Sequence, residues 1–184
     1  MSSNRKLAAI FAADIAGYSS MMSADEDGTV RKLKAVQAIV LPIIEAHGGR
    51  IIDLAGDGIL AEFPSAIRAV EAALRVQNSM EVLNAEAGPE MLFRIGVNIG
   101  DVIDDGTRLF GDGINIAARL ESIAEPGGIL LSRAAYDQVR DRIQIAFDDL
   151  GEHSLKNIVR PVQTFRVVRE SDAKPSNVRD DLHV

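Results

Sequence analysis

Cysteine is absent from the 184 residues, which excludes disulfides, thiol nucleophiles and thiolate-held metal sites. Histidine is scarce: His47, His153 and His183 are the three present, and none stands at metal-ligand spacing from another. His47 reads instead as a helix C-terminal residue, a position the helix dipole favours. Long hydrophobic runs are missing too. The longest uncharged, mostly apolar stretch, residues 36–44, falls far short of the roughly 20 residues a membrane span needs, so no membrane insertion is expected. Positive charge is in deficit, with 20 Lys and Arg against 27 Asp and Glu and a formal net charge of −7. That balance argues against nucleic acid or an anionic membrane as partner, because both demand clustered basic side chains. A small phosphate ligand held by a few local donors is still allowed. The opening Met-Ser-Ser-Asn-Arg-Lys runs almost directly into an apolar strand and leaves no room for a secretory signal, so a cytoplasmic location is expected.

What is present suits one globular domain: 47% apolar and 26% charged residues. Residues 7–15 (LAAIFAADI) read as a buried strand ending on an acid. Residues 17–28 are turn-rich, and Ser23 with Glu26 matches a capping box. Helical periodicity then runs over residues 29–47 and stops at Gly48-Gly49, with Pro42 predicting a kink or late break. Residues 50–53 and 59–63 flank Gly56-Asp57-Gly58 as a tight hairpin, and Pro64 opens a helix to about residue 83. A long strand over 91–101, a helix over 111–124, a short strand over 129–131, a helix to about 139 and a last strand over 162–168 follow. The class predicted is α+β: a ferredoxin-like βαββαβ core with an extra C-terminal helix and strands, its mainly antiparallel sheet carrying the helices on one face. The domain is taken as residues 1–169, with 170–184 a polar tail or linker.

Two acids carry the chemistry. Asp14 ends the first strand and Asp57 tips the following hairpin, and in a βαββ unit those points are neighbours. Paired carboxylates without nearby His or Cys suit Mg²⁺ or Mn²⁺ over Zn²⁺, and two such ions activate an attacking oxygen and hold a leaving phosphate. Taken singly, Asp14 reads better as the start of a loop and Asp57 as the middle of a Gly-Asp-Gly turn. Asn115 and Arg119 stand four apart, hence on one helix face, where an amide orients a ribose and a guanidinium neutralises charge at phosphorus.

Five segments in order, FAADIAGYS (11–19), GGRIIDLAGDGILAEF (48–63), FGDGINIAARLE (110–121), PGGI (126–129) and LKNIVRPVQTFRVV (155–168), together resemble the class III adenylate and guanylate cyclase family. The resemblance implies that Asp14 and Asp57 bind two divalent cations, Mg²⁺ or Mn²⁺, with the Ile15 backbone carbonyl contributing. It further implies that the backbone of Ala16, Gly17, Tyr18 and Ser19 cradles the triphosphate, with Lys156 at its far end. Asn115 would position the ribose and Arg119 would stabilise the transition state. In that family the acids come from one subunit and the Asn, Arg and Lys from the other. A single catalytic domain therefore implies a head-to-tail homodimer acting on ATP or GTP.

The chain departs from the family at the base-reading positions. Adenylate cyclases usually carry Lys where this chain has Asp53, and Asp or Thr where it has Arg108; an acid at the first position leans toward guanylate cyclases. Asp53 and Arg108 can be arranged to read adenine, to read guanine, or to pair with each other. ATP is placed ahead of GTP. A degenerate domain that dimerises or binds nucleotide without turnover is the rival reading, though both acids and the Asn/Arg pair are retained. A diguanylate cyclase is disfavoured because the hairpin reads LAGDGIL and lacks GG[DE]EF.

Overall fold

The computed structural model describes residues 4–86 and 90–169, so the 170–184 tail and His183 lie outside the described residues. In chain order the elements are β1 (Asn4–Ile15), α1 (Tyr18–Ala24), α2 (Glu26–Ala46), β2 (Arg50–Ala55), β3 (Gly58–Phe63), α3 (Ala66–Glu86), β4 (Phe93–Asp104), β5 (Leu109–Phe110), α4 (Asp112–Ile123), β6 (Ile129–Ser132), α5 (Arg133–Val139), β7 (Ala146–His153) and β8 (Val162–Val168). The strands form one sheet in the order β2-β3-β1-β4-β6-β8-β7, with β5 folded back on β4. Every pairing is antiparallel except β4 with β6. The predicted α+β class and antiparallel sheet are therefore present.

β1 explains its own composition. It lies mid-sheet between β3 and β4, and residues 8–13 are buried on both sides. Ala9, Phe11, Ala13 and Ile15 enter a core built with α2, α3 and α5, while Ala8, Ile10 and Ala12 face Ala117 of α4. A strand covered on both faces reads as an unbroken apolar run rather than an alternating one. The expectation of helices on one face is thus corrected: α4 packs on the opposite side from the others.

Other local expectations shift as well. Residues 17–28 are not mainly turn but α1 and the start of α2. Asp25, not Ser23, caps α2, its side chain accepting from the Gly28 amide. α2 runs through Pro42 to Ala46; Pro42 and Ala38, whose carbonyl loses its usual partner, are both exposed, so water can satisfy that carbonyl. His47 caps that helix, with Nδ1 2.8 Å from the Ile43 carbonyl. Pro64 precedes α3, and Ser65 Oγ accepts from the Arg68 amide.

α4 approaches β4 at backbone distance. A Cβ built on Gly96 would stand 2.4 Å from the Ala117 carbonyl oxygen and 2.5 Å from the Glu121 nitrogen, and one on Gly113 would meet the Asp101 carbonyl at 2.6 Å. Those contacts are backbone and cannot swing aside. Gly96→Ala is therefore expected to destabilise the domain by about 2–3 kcal/mol, read as a lowered urea midpoint at unchanged slope.

Candidate active site

The site grows from the end of β1. Tight pairing of β2 with β3 through the Gly56-Asp57 turn, with Gly56 at φ +60°, brings the hairpin tip against β1 because β3 is its direct neighbour. Asp57 Oδ2 accepts a hydrogen bond from the Ile15 amide at 2.8 Å. Asp57 thus bonds the backbone of the residue that follows Asp14, at the end of β1. Asp14 shares a face with Ala8, Ile10 and Ala12, the face on which α4 lies.

Arg94 on β4 stands opposite Asp14 in register and grips its carboxylate with two bonds, Nε at 2.8 Å and Nη2 at 2.5 Å. Its remaining nitrogen donates to the Ser122 carbonyl at the end of α4, 3.0 Å away. The Asp14 hydrogen bonds hold the Arg94 pKa above its ordinary value. Glu121 of α4 completes the cluster: its carboxyl lies 4.0 Å from Arg94, within reach of the charge of Asp14. Burial first, then the charge of Asp14, pushes Glu121 up to about 7. Neither Arg94 nor Glu121 figured among the sequence candidates. A lone arginine inside the otherwise apolar FRIGVNIG strand was the available signal for Arg94, since a charge in a central strand needs a partner.

The raised Glu121 pKa has a stability consequence in metal-free protein. The folded state keeps a proton that the unfolded chain, near the usual carboxylate value, releases. That contribution is complete below about pH 4.5 and is lost as pH rises to about 7. Glu121→Gln should remove the loss, so the variant is expected to gain on the order of 1–2 kcal/mol relative to wild type between pH 5 and 8 in chelator, measured by thermal melting.

The other candidates take different places. Asn115 is exposed on α4, and one turn on Arg119 donates from Nε to the Lys156 carbonyl at 3.1 Å, while the Lys156 side chain is exposed. Among the described residues no hydrogen bond or ion pair joins Asn115 or Arg119 to Asp14 or Asp57. The Ala16 amide is engaged by the Leu92 carbonyl at 2.9 Å; Gly17, at φ +71°, then starts α1, whose first turn holds Tyr18 and Ser19 without a side-chain cap. Phe11 is fully buried against Phe63, and Tyr18 packs on the same core. Asp53 is exposed on β2, in register with Leu60 and so on the α4 face. Arg108 is exposed in the β4–β5 turn, its guanidinium 5.4 Å from the Phe110 ring centre and 3.8 Å from Asp105. A cleft of about 610 Å³ between the α4 N-terminus, β4 and α5 contains none of these candidates.

The donor set fits a hard cation: carboxylate oxygens, with no sulfur or imidazole beside them. Among the described residues, no three acidic or histidine side chains converge as a finished cage. Mg²⁺ sites commonly have that form, one or two carboxylates with substrate phosphates making up the rest. In the arrangement seen, Arg94 supplies the positive charge that Asp14 requires.

Residues 2–168 match the model of the adenylate and guanylate cyclase catalytic domain, and the chain belongs to that family. It is 45% identical over 161 residues to a putative adenylate cyclase 3 of Rhizobium meliloti, spanning 86% of this chain and about a quarter (27%) of that protein. An adenylate cyclase of Streptomyces coelicolor is 31% identical over 76% of this chain and 36% of its own length. Among solved structures, an adenylate/guanylate cyclase/hydrolase from Silicibacter pomeroyi superposes with TM-score 0.86 at 38% identity, covering 92% of this chain and all of that one. The adenylyl cyclase CyaB from P. aeruginosa gives 0.82 at 27% identity, covering 92% and 97%.

Proposed function

We propose that this domain converts ATP into 3′,5′-cyclic AMP and pyrophosphate at two equivalent sites shared across a head-to-tail homodimer. The observation that carries the reading is the split of the machinery within one chain. Asp57 bonds the backbone next to Asp14 at the β1 end, whereas Asn115, Arg119 and Lys156 form a separate outward-facing group. A second copy related by a two-fold axis would bring each group to the other twice, making two sites. The face beside the acids also keeps Ile52 and Leu60 only partly buried, which suits a docking subunit.

A bound divalent pair supplies Lewis-acid charge at the α-phosphate and the leaving pyrophosphate. Asp14 and Asp57, with the Ile15 carbonyl, hold that pair, and Asp57 is kept in place by the Ile15 amide. Backbone over Gly17–Ser19 faces the triphosphate, and Lys156 meets its outer phosphates. Asn115 orients the ribose so that its 3′-oxygen lies in line with the α-phosphorus, and Arg119 neutralises charge building there. Asp53 and Arg108 read the base. The adenylate cyclase names of the relatives favour ATP, while Asp53 keeps GTP as the alternative. No described helix is long and apolar enough to cross a membrane, which agrees with work in the cytoplasm, where nucleoside triphosphates are plentiful.

The test is a product assay with Mn²⁺ and ATP or GTP in parallel across protein concentration. Cyclic AMP, with specific activity falling on dilution, is the expected result. Cyclic GMP alone would replace the substrate, a linear response from a proven monomer would remove the shared site, and no product from either would favour a non-catalytic nucleotide-binding domain.

A further inference from the structure

We propose that Glu121 is a further positioning residue of the cyclase site: from α4 it fixes Asp14 and Arg94 of its own chain, while the same helix offers Asn115 and Arg119 to the site of the other chain. The inference rests on the shared-site reading above for its second half and on contacts within one chain for its first.

Three observations converge. The Glu121 side chain is 14% exposed and sits at the last turn of α4, where its carboxyl stands beside the Arg94 guanidinium that grips Asp14. Arg94 is held between them: its fork closes on Asp14, its third nitrogen reaches the Ser122 carbonyl, and Glu121 flanks it at 4.0 Å. α4 cannot retreat from this cluster, because Gly96 seats the Glu121 backbone directly on β4. A buried carboxyl beside another carboxyl is costly unless a cation answers both. In the arrangement seen Arg94 bonds Asp14 directly and stands beside Glu121 at 4.0 Å. Were a divalent ion to occupy Asp14, Glu121 would be the nearby acid left to hold the Arg94 guanidinium, so that it neither competes for Asp14 nor drifts.

Glu121 stands two residues from Arg119, yet successive residues so spaced point to different sides of a helix. Arg119 turns to the Lys156 loop and Glu121 turns to β1 and β4. One rigid helix thus serves two sites with its two sides, the metal acids of its own chain and the ribose and phosphorus of the other. Among the described residues no third acid joins Asp14 and Asp57 in a cage, and the proposal gives Glu121 a positioning part. Its part is the charge and placement of the group that is one.

Binding and geography test this separately. Mn²⁺ binding to the full chain without nucleotide, followed by the electron paramagnetic resonance of free Mn²⁺, should weaken about tenfold in Glu121→Gln, the loss of one negative charge a few ångströms from a divalent ion. Thermal melting confirms that the isosteric variant is folded. Unchanged Mn²⁺ affinity overturns the proposal. In mixed dimers of an Asp57→Asn chain with an Arg119→Ala chain, one intact site remains, its acids drawn from the Arg119→Ala chain. Glu121→Gln placed in that acid-donating chain should raise the Mn²⁺ requirement about tenfold, and placed in the other chain should leave it unchanged. Equal effects from both placements overturn the own-chain assignment. Mixed dimers inactive even without the Glu121 change would sink the shared-site reading instead, and the Mn²⁺ binding result would still decide the role of Glu121.

Discussion

Asp57→Asn is expected to lower cyclic nucleotide formation by about 10³-fold or more while leaving the fold in place. The distinction rests on the two tasks of one side chain. Asp57 Oδ2 accepts from the Ile15 amide at 2.8 Å, and an asparagine carbonyl oxygen accepts the same bond, so the hairpin stays seated on β1. What is lost is the negative charge, and with it the anionic oxygen a hard cation needs. Melting within a few degrees of wild type, together with a collapsed rate that excess Mn²⁺ restores only in small part, is the predicted pattern. A rate near wild type would mean that Asp57 merely shapes a Gly-Asp-Gly turn.

Arg119→Ala should cost about 10²–10³-fold in turnover with little change in metal binding, since its guanidinium lies with the Lys156 loop and not with the acids. The stronger result comes from mixing. If the two halves of each site belong to different subunits, Arg119→Ala and Asp57→Asn chains, each nearly inactive alone, should regain activity together. Free exchange at equal amounts makes about half the dimers mixed, each with one intact site, so about a quarter of wild-type activity returns. No recovery in dimers shown to have exchanged would place the whole site in one chain and undo the head-to-tail model.

Much of this was readable from residue order alone. Asp14 and Asp57 were paired by topology before any coordinate, because a βαββ unit sets β3 beside β1. The family resemblance then marked Asn115, Arg119 and Lys156, and Arg119 does reach the Lys156 backbone. What escaped lies where meaning is set by packing. Arg94 and Glu121 are far apart in sequence and signify only when α4 lies across β4, a placement allowed by the missing side chains of Gly96 and Gly113. The second helical layer went unseen because the run LAAIFAADI does not say which side covers it. β7 went unseen for a different reason: AFDDLGEH is an edge strand, largely exposed, charged and bent at Gly151, and such strands carry little of the hydrophobic signal that marks a core.

The backbone seating of α4 on β4 also limits how the enzyme can be tuned. At Gly96 and Gly113 the helix meets its sheet backbone to backbone, and Ile114, Ala117 and Leu120 pack beside those points, so the helix that carries Asn115, Arg119 and Glu121 is closely seated on the sheet. In the proposed head-to-tail dimer, the gap between the acids of one subunit and the arginine of the other would then be adjusted chiefly at the contact between protomers. A switch for such a dimer would act by sliding or rotating one subunit against its mate.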